Sequence, residues 1–185
     1  LEEGCYTAAS GLVQTGRIAP SLFDAKRQPL KSYNGQIIQD LKGSDRLYFD
    51  GSKSVIAPAL YHDEKPLGTV HSNARFGPDG AVYTVRVHED RRGFYRDDQK
   101  LFEIKTQGVL ADILPDGSVL FTAPTRYGNG LYVWHGGAIK RLGTADNILD
   151  ARWLSGDRFI VATVTAHGYE YRISGFEATP QRPGR

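Results

Sequence analysis

An all-β chain assembled from one recurring unit is predicted by three observations. Runs rich in β-branched and aromatic residues dominate, among them AVYTVRVH (81–88), SVLFTA (118–123), GLYVWH (130–135) and RFIVATVT (158–165), several alternating with period two. Between them lie PDG at 78–80 and 115–117, YGNG at 127–130, HGG at 135–137 and SGD at 155–157, which supply the Gly, Asn and Asp that tight turns need for positive φ. Finally, ARFGPDGAVYTV (74–85) returns as ADILPDGSVLFTA (111–123) and, worn, as ARWLSGDRFIVAT (151–163). No stretch of 11 or more residues carries a helical stripe; PSLFDAK at 20–26, the best candidate, makes a turn or two at most.

The elements follow in order. The first phrase reads as strand 74–77, tight turn and strand 81–88, with KLFEIK giving a further strand at 100–105. The second gives strands at 111–114 and 118–124, then GLYVWHGGAIKRL gives 130–135 and 138–142 about a glycine turn. The third gives 151–154 and 158–165. Ala74, Ala111 and Ala151 open the phrases, 37 and 40 residues apart, so each unit holds about four short strands. That period with that strand count is the signature of a β-propeller blade. A lone four-stranded sheet has two apolar faces, and neighbours packed face to face hide both. Trp153, aligned with Phe76 and Ile113 on the innermost strand, is expected to be buried, and Trp134 on an outer strand more accessible.

The motif residues Pro115, Asp116, Gly117, Leu131, Tyr132, Trp134, Gly136, Gly137 and Leu142 resemble the repeats of TolB-like β-propellers, over about 72–165. Aligning Asp50-Gly51-Ser52 with Asp116-Gly117-Ser118 makes 45–61 a degenerate blade, and LKSYNGQIIQDL (30–41) reads as an outer hairpin about Asn34-Gly35. The expected organisation is one propeller domain over 1–176, about five small blades or a partial ring. Its blades fall at 10–43, 44–71, 72–108, 109–147 and 148–176, with residues 1–9 supplying the strand that closes the ring and 177–185 a tail. An open ring would leave long unpaired edges, and another chain completing the ring is the alternative to closure.

Composition bounds the partners. Lys and Arg number 23 against 21 Asp and Glu, a formal charge of +2, which argues against nucleic acid or an anionic membrane. No apolar run approaches the roughly 18 residues of a membrane span. Cys5 is the lone cysteine, so the chain forms no internal disulfide. There is no Met even at position 1, which predicts a processed product or a fragment; LEEGC places glutamates where a lipoprotein cleavage box needs small or apolar residues. The resemblance to TolB-like repeats implies a periplasmic or secreted setting, and the composition leaves a cytoplasmic one open.

Sites of chemistry are sparse. The five histidines show no metal-ligand spacing, and His62-Asp63-Glu64 reads as a solvated turn, so neither metal nor cofactor is expected. There is no nucleophile elbow, and Gly51-Ser52-Lys53-Ser54 lacks the upstream glycine of a phosphate loop. The acid pairs Glu89-Asp90 and Asp97-Asp98 read as charged hairpin tips. The repeat itself is more informative. Arg75, Asp112 and Arg152 follow the repeated alanines, Asn73 and Asp150 precede two of them, and His71 lies just upstream. In a propeller these positions crowd around the channel mouth, where polar groups must find partners. The expectation is a ring in which each arginine pairs with a carboxylate of the next blade; the competing reading is a mouth that binds a small polar ligand. Tyr127, Tyr132, Trp134, Tyr169 and Tyr171 form a second set, expected mainly to pack between blades.

The function these features favour is a non-catalytic binding or assembly module for a protein partner or a small polar ligand. Two alternatives stay open: a propeller-type hydrolase or lyase acting on a sugar or lactone at the channel mouth, and the propeller portion of a larger peptidase.

Overall fold

The computed structural model describes residues 6–7, 13–15, 21–23, 29–32, 36–51, 58–143, 147–156, 158–165 and 168–175, and among them there is no helix. Among the described residues nineteen strands form five antiparallel sheets. The first holds β1 (Tyr6–Thr7), β2 (Val13–Thr15), β3 (Ser21–Phe23) and β4 (Pro29–Ser32). The second holds β5 (Gln36–Lys42), β6 (Asp45–Asp50), β7 (Ala59–His62) and β8 (Lys65–Gly68). The third holds β9 (His71–Phe76), β10 (Val82–His88), β11 (Arg91–Arg96) and β12 (Gln99–Ile104). The fourth holds β13 (Val109–Ile113), β14 (Val119–Thr125), β15 (Gly128–His135) and β16 (Ala138–Leu142). The fifth holds β17 (Ile148–Ser155), β18 (Arg158–Thr165) and β19 (Gly168–Gly175).

This is a β-propeller of small blades. Strand β5 packs beside β9, β9 beside β13 and β13 beside β17, so the leading strands of the second to fifth sheets are the inner ones. The core lies between sheets, as the two-faced character of the strands requires. Leu47, Phe49 and Leu60 of the second sheet meet Ala74, Phe76 and Val82 of the third. Tyr83, Val85 and Phe94 of the third meet Leu110, Ile113, Val119 and Phe121 of the fourth. On the other face of the fourth, Ala111, Leu114, Leu120 and Leu131 meet Ile148, Ala151, Phe159 and Val161 of the fifth. Alternate residues of Val119–Phe121 thus serve opposite interfaces, which is why the run is continuously apolar.

The joint between third and fourth sheets is aromatic. Phe94 stacks on Phe102 at 4.3 Å between ring centroids and lies 5.0 Å from Phe121; Phe102 stacks on Trp134 at 5.3 Å and Phe121 on Tyr132 at 5.5 Å. Strand β11 escaped the sequence reading because charged residues flank its buried centre, Gly93-Phe94.

The returning PDG phrase is turn chemistry. Gly80 and Gly117 adopt φ of 88° and 82°, and their N–H groups donate to the carbonyls of Gly77 and Leu114 at 3.0 and 2.9 Å. The aspartate before each glycine accepts from the backbone N–H two residues on, Ala81 to Asp79 at 3.1 Å and Ser118 to Asp116 at 2.9 Å. These bonds hold both carboxyls below the usual aspartate range.

Several expectations need correction. The helical turn proposed at 20–26 falls partly on β3, a strand. Segments 29–32 and 36–42 lie in different sheets rather than in one hairpin, and Asn34-Gly35 is outside the described residues. Of residues 1–9, Tyr6–Thr7 pairs with β2 inside the first sheet, while the fifth sheet has three strands among the described residues. The 177–185 segment lies outside the described residues. Trp153 and Trp134 are both half-buried, because Trp153 sits near the exposed end of β17.

Candidate functional site

The inner strands carry a recurrent clamp. Asp40 of β5 accepts the backbone N–H of Phe76 at 2.8 Å, while Arg75 donates through Nη1 to the carbonyl of Gln39. Asp112 of β13 accepts the N–H of Trp153 at 2.8 Å, while Arg152 donates through Nη1 to the carbonyl of Ala111. Each carboxylate also accepts the N–H of its own neighbour at 2.9 Å, Leu41 for Asp40 and Ile113 for Asp112. An aspartate on one sheet and an arginine on the next therefore bind each other's backbone, reciprocally, at the second–third and fourth–fifth joints. A β-bulge opens beside each aspartate, between Ile38 and Asp40 and between Leu110 and Asp112, turning the carboxylate toward the neighbouring strand.

The sequence-nominated residues distribute as follows. Arg75, Asp112, Asp150 and Arg152 converge: the charge of Arg75 is felt with that of Arg152 and of three aspartates, Asp40, Asp150 and Asp112. Asn73 reaches Gln39 Oε1 at 3.5 Å from the same strand as Arg75. His71 does not join them; its Nε2 faces the carbonyl of Leu67 at 3.2 Å, and its charged neighbours are Arg86 and Asp98. Burial holds the His71 imidazole below the usual histidine range. The expected ring of arginine–carboxylate pairs between adjacent blades is not what forms. Arg152 pairs with Asp150 of its own strand at 3.1 Å, and both arginines reach backbone carbonyls of the preceding sheet. Residues two apart on a strand share a face, so the Asp150–Arg152 pair was open to sequence reasoning.

Asp40 was missed. The string Asp50-Gly51-Ser52 matched Asp116-Gly117-Ser118 and set the register wrongly; the structural counterpart of Ala111-Asp112-Ile113 is Gln39-Asp40-Leu41. The signal was an aspartate before an apolar strand residue, Leu41, followed by the two-residue turn Gly43-Ser44 where the later copies have Pro-Asp-Gly.

Two further features bear on chemistry. Among buried side-chain atoms, Arg75 Nε, Asn73 Oδ1 and His71 Nδ1 have no hydrogen-bond partner among the described residues. Burial lowers the pKa of the Arg75 guanidinium, with Arg152 adding repulsion. Away from the axis, Ser118 Oγ lies 2.7 Å and Asp116 Oδ2 3.5 Å from His135, both at Nδ1. A relay needs the two partners on opposite ring nitrogens, and Ser118 is only 3% exposed, so this is a structural contact. Asp63-Glu64 forms the turn after His62 of β7, and Asp63 accepts the N–H of Arg46 at 3.0 Å, as Asp97 accepts that of Val82 at 3.0 Å. No group of three metal-ligating side chains occurs among the described residues.

Burial raises the Asp112 carboxyl above its ordinary 3.8, opposed by the Trp153 N–H, Arg152, the Ile113 N–H and Arg75. The proton is therefore bound more tightly folded than unfolded. Its contribution to stability is complete below about 3.8 and is lost as pH rises through the folded value. Urea denaturation of the wild type and Asp112→Asn at acid and neutral pH checks this. The stability of the wild type relative to the variant should fall as pH climbs above 3.8; a relative gain would mean that the cations outweigh burial.

No family model matches the chain, and neither does any curated protein. Among solved structures it is similar to a protein of unknown function from Bacteroides caccae, with a TM-score of 0.56 and 10% identity over 90% of this chain and 74% of that one. It is also similar to the β-propeller domain of the Trilobed protease from Pyrococcus furiosus, a domain described as having an open velcro topology. That match has a TM-score of 0.54 and 9% identity over 96% of this chain and 70% of that one. At these identities the likeness bears on fold, and the fold is a β-propeller.

Proposed function

We propose that the chain is a non-catalytic β-propeller module for binding or assembly, of TolB-like repeat type, acting in a bacterial envelope or secreted protein. One observation carries the reading. The carboxylates best placed for acid–base work, Asp40 and Asp112, each accept two backbone N–H groups, one from an adjacent sheet, and so serve as joints. A general acid or base needs a free lone pair or proton directed at a substrate. The Pro-Asp-Gly turns followed by Leu131-Tyr132, Trp134 and Gly136-Gly137 support the TolB-like assignment and, through it, the envelope setting. The charge of +2 supports a protein or small polar partner over a polyanion. Assay of the purified protein against a panel of glycosides and lactones should give no turnover. Saturable turnover that Asp112→Asn abolishes without lowering the melting temperature would replace this reading with the hydrolase or lyase one.

A further inference from the structure

We propose that β19 is a self-association edge, on which a second copy of this chain adds its own β19 antiparallel across a twofold axis. Four sheets have four strands, and the fifth ends on β19, which pairs β18 on one side and has no strand on the other among the described residues. A long unpaired edge is normally blunted by lysine, proline or a bulge. Strand β19 carries neither lysine nor proline, and it pairs with β18 in unbroken register from Arg158↔Gly175 to Thr165↔Gly168. It instead displays Tyr171 and Ile173, 70% and 66% exposed, on one face, and Glu170 and Arg172 on the other.

The sequence of the edge identifies the occupant. In Gly168-Tyr169-Glu170-Tyr171-Arg172-Ile173-Ser174, antiparallel pairing of two copies about Tyr171 sets position 170 opposite 172 twice and 169 opposite 173 twice. Every glutamate then faces an arginine, and Tyr171 faces its own copy. Shifting the centre by one residue sets Glu170 against Glu170 or Arg172 against Arg172, so the charges select one register. Among the described residues these two groups pair with each other, at 2.7 Å along the strand. The added strand runs antiparallel to its neighbour, in the sense of the outermost strand of the other sheets, and the contact is isologous.

Charge reversal tests this with the full 185-residue chain by sedimentation velocity over a concentration series. The wild type should show a concentration-dependent dimer. Glu170→Arg alone and Arg172→Glu alone should each weaken it by about tenfold or more, since each opposes like charges twice. Mixed in equal amounts, the two variants should form a heterodimer with affinity near the wild type's, because each arginine of one then faces a glutamate of the other. Restoration on mixing also shows that both variants are folded. A wild type that stays monomeric throughout, single variants that dimerise undiminished, or a mixture that fails to restore association would each overturn the proposal. The first outcome would mean that another segment covers the edge, and the second that copies meet elsewhere.

Discussion

Phe121→Ala is expected to lower the unfolding free energy by about 3–5 kcal/mol, the largest effect of any single truncation considered. Phe121 is 1% exposed and sits where two sheets meet, 5.0 Å from Phe94, 5.3 Å from Phe102 and 5.5 Å from Tyr132 between ring centroids. Truncation removes buried apolar area and leaves a void that three rings from two sheets would have to collapse into together. The third–fourth joint has no reciprocal aspartate–arginine clamp among the described residues, so the aromatic wall carries it. Phe121→Leu, closer in volume, should cost less than about 1.5 kcal/mol. Urea denaturation followed by circular dichroism measures both. A loss under about 1 kcal/mol for the alanine variant would show that the joint is held by other contacts.

Arg75→Ala and Arg152→Ala should each cost about 2–3 kcal/mol, as removal of a charged donor from a partly buried acceptor usually does. In each case a carbonyl of the preceding sheet, that of Gln39 or Ala111, loses its donor. Asp112 and Asp150 also lose one of two cations in reach. Thermal melts decide between joint and ligand site. Unchanged stability in both variants would remove the clamp as a structural device. A loss confined to Arg152→Ala would single out Arg75, whose Nε has no partner among the described residues, as the group held for a ligand.

The sequence reading did well where local and repeated signals coincide. Ala74, Ala111 and Ala151 lie within equivalent inner strands, and the PDG turns fall between the first two strands of the third and fourth sheets. It lost the register of the second sheet because an accidental Asp-Gly-Ser outweighed the shorter turn at Gly43-Ser44. It lost β11 because charged residues dilute the strand signal around a buried Gly93-Phe94, and β19 because its charged residues interrupt the apolar alternation. Of the polar residues it nominated, Arg75, Asp112, Asp150 and Arg152 lie within electrostatic reach of one another, while His71 faces another environment. Apart from the Asp150–Arg152 pair, their actual partners were beyond it. Whether an arginine takes a carboxylate or a carbonyl depends on bulges and inter-sheet spacing, which no single-strand pattern encodes.

The clamps also set a parity on the array. Acid, arginine, acid, arginine is the order along the inner strands at Asp40, Arg75, Asp112 and Arg152, so the smallest block that copies itself faithfully is two sheets, 36–104 or 109–175. Gain or loss of one sheet would bring like charges side by side; gain or loss of two keeps the order in phase. Duplication, deletion or grafting should therefore succeed in even steps, with the cut at residues 105–108, where a seam of rings, tolerant of small shifts in a way that paired hydrogen bonds are not, joins one block to the next.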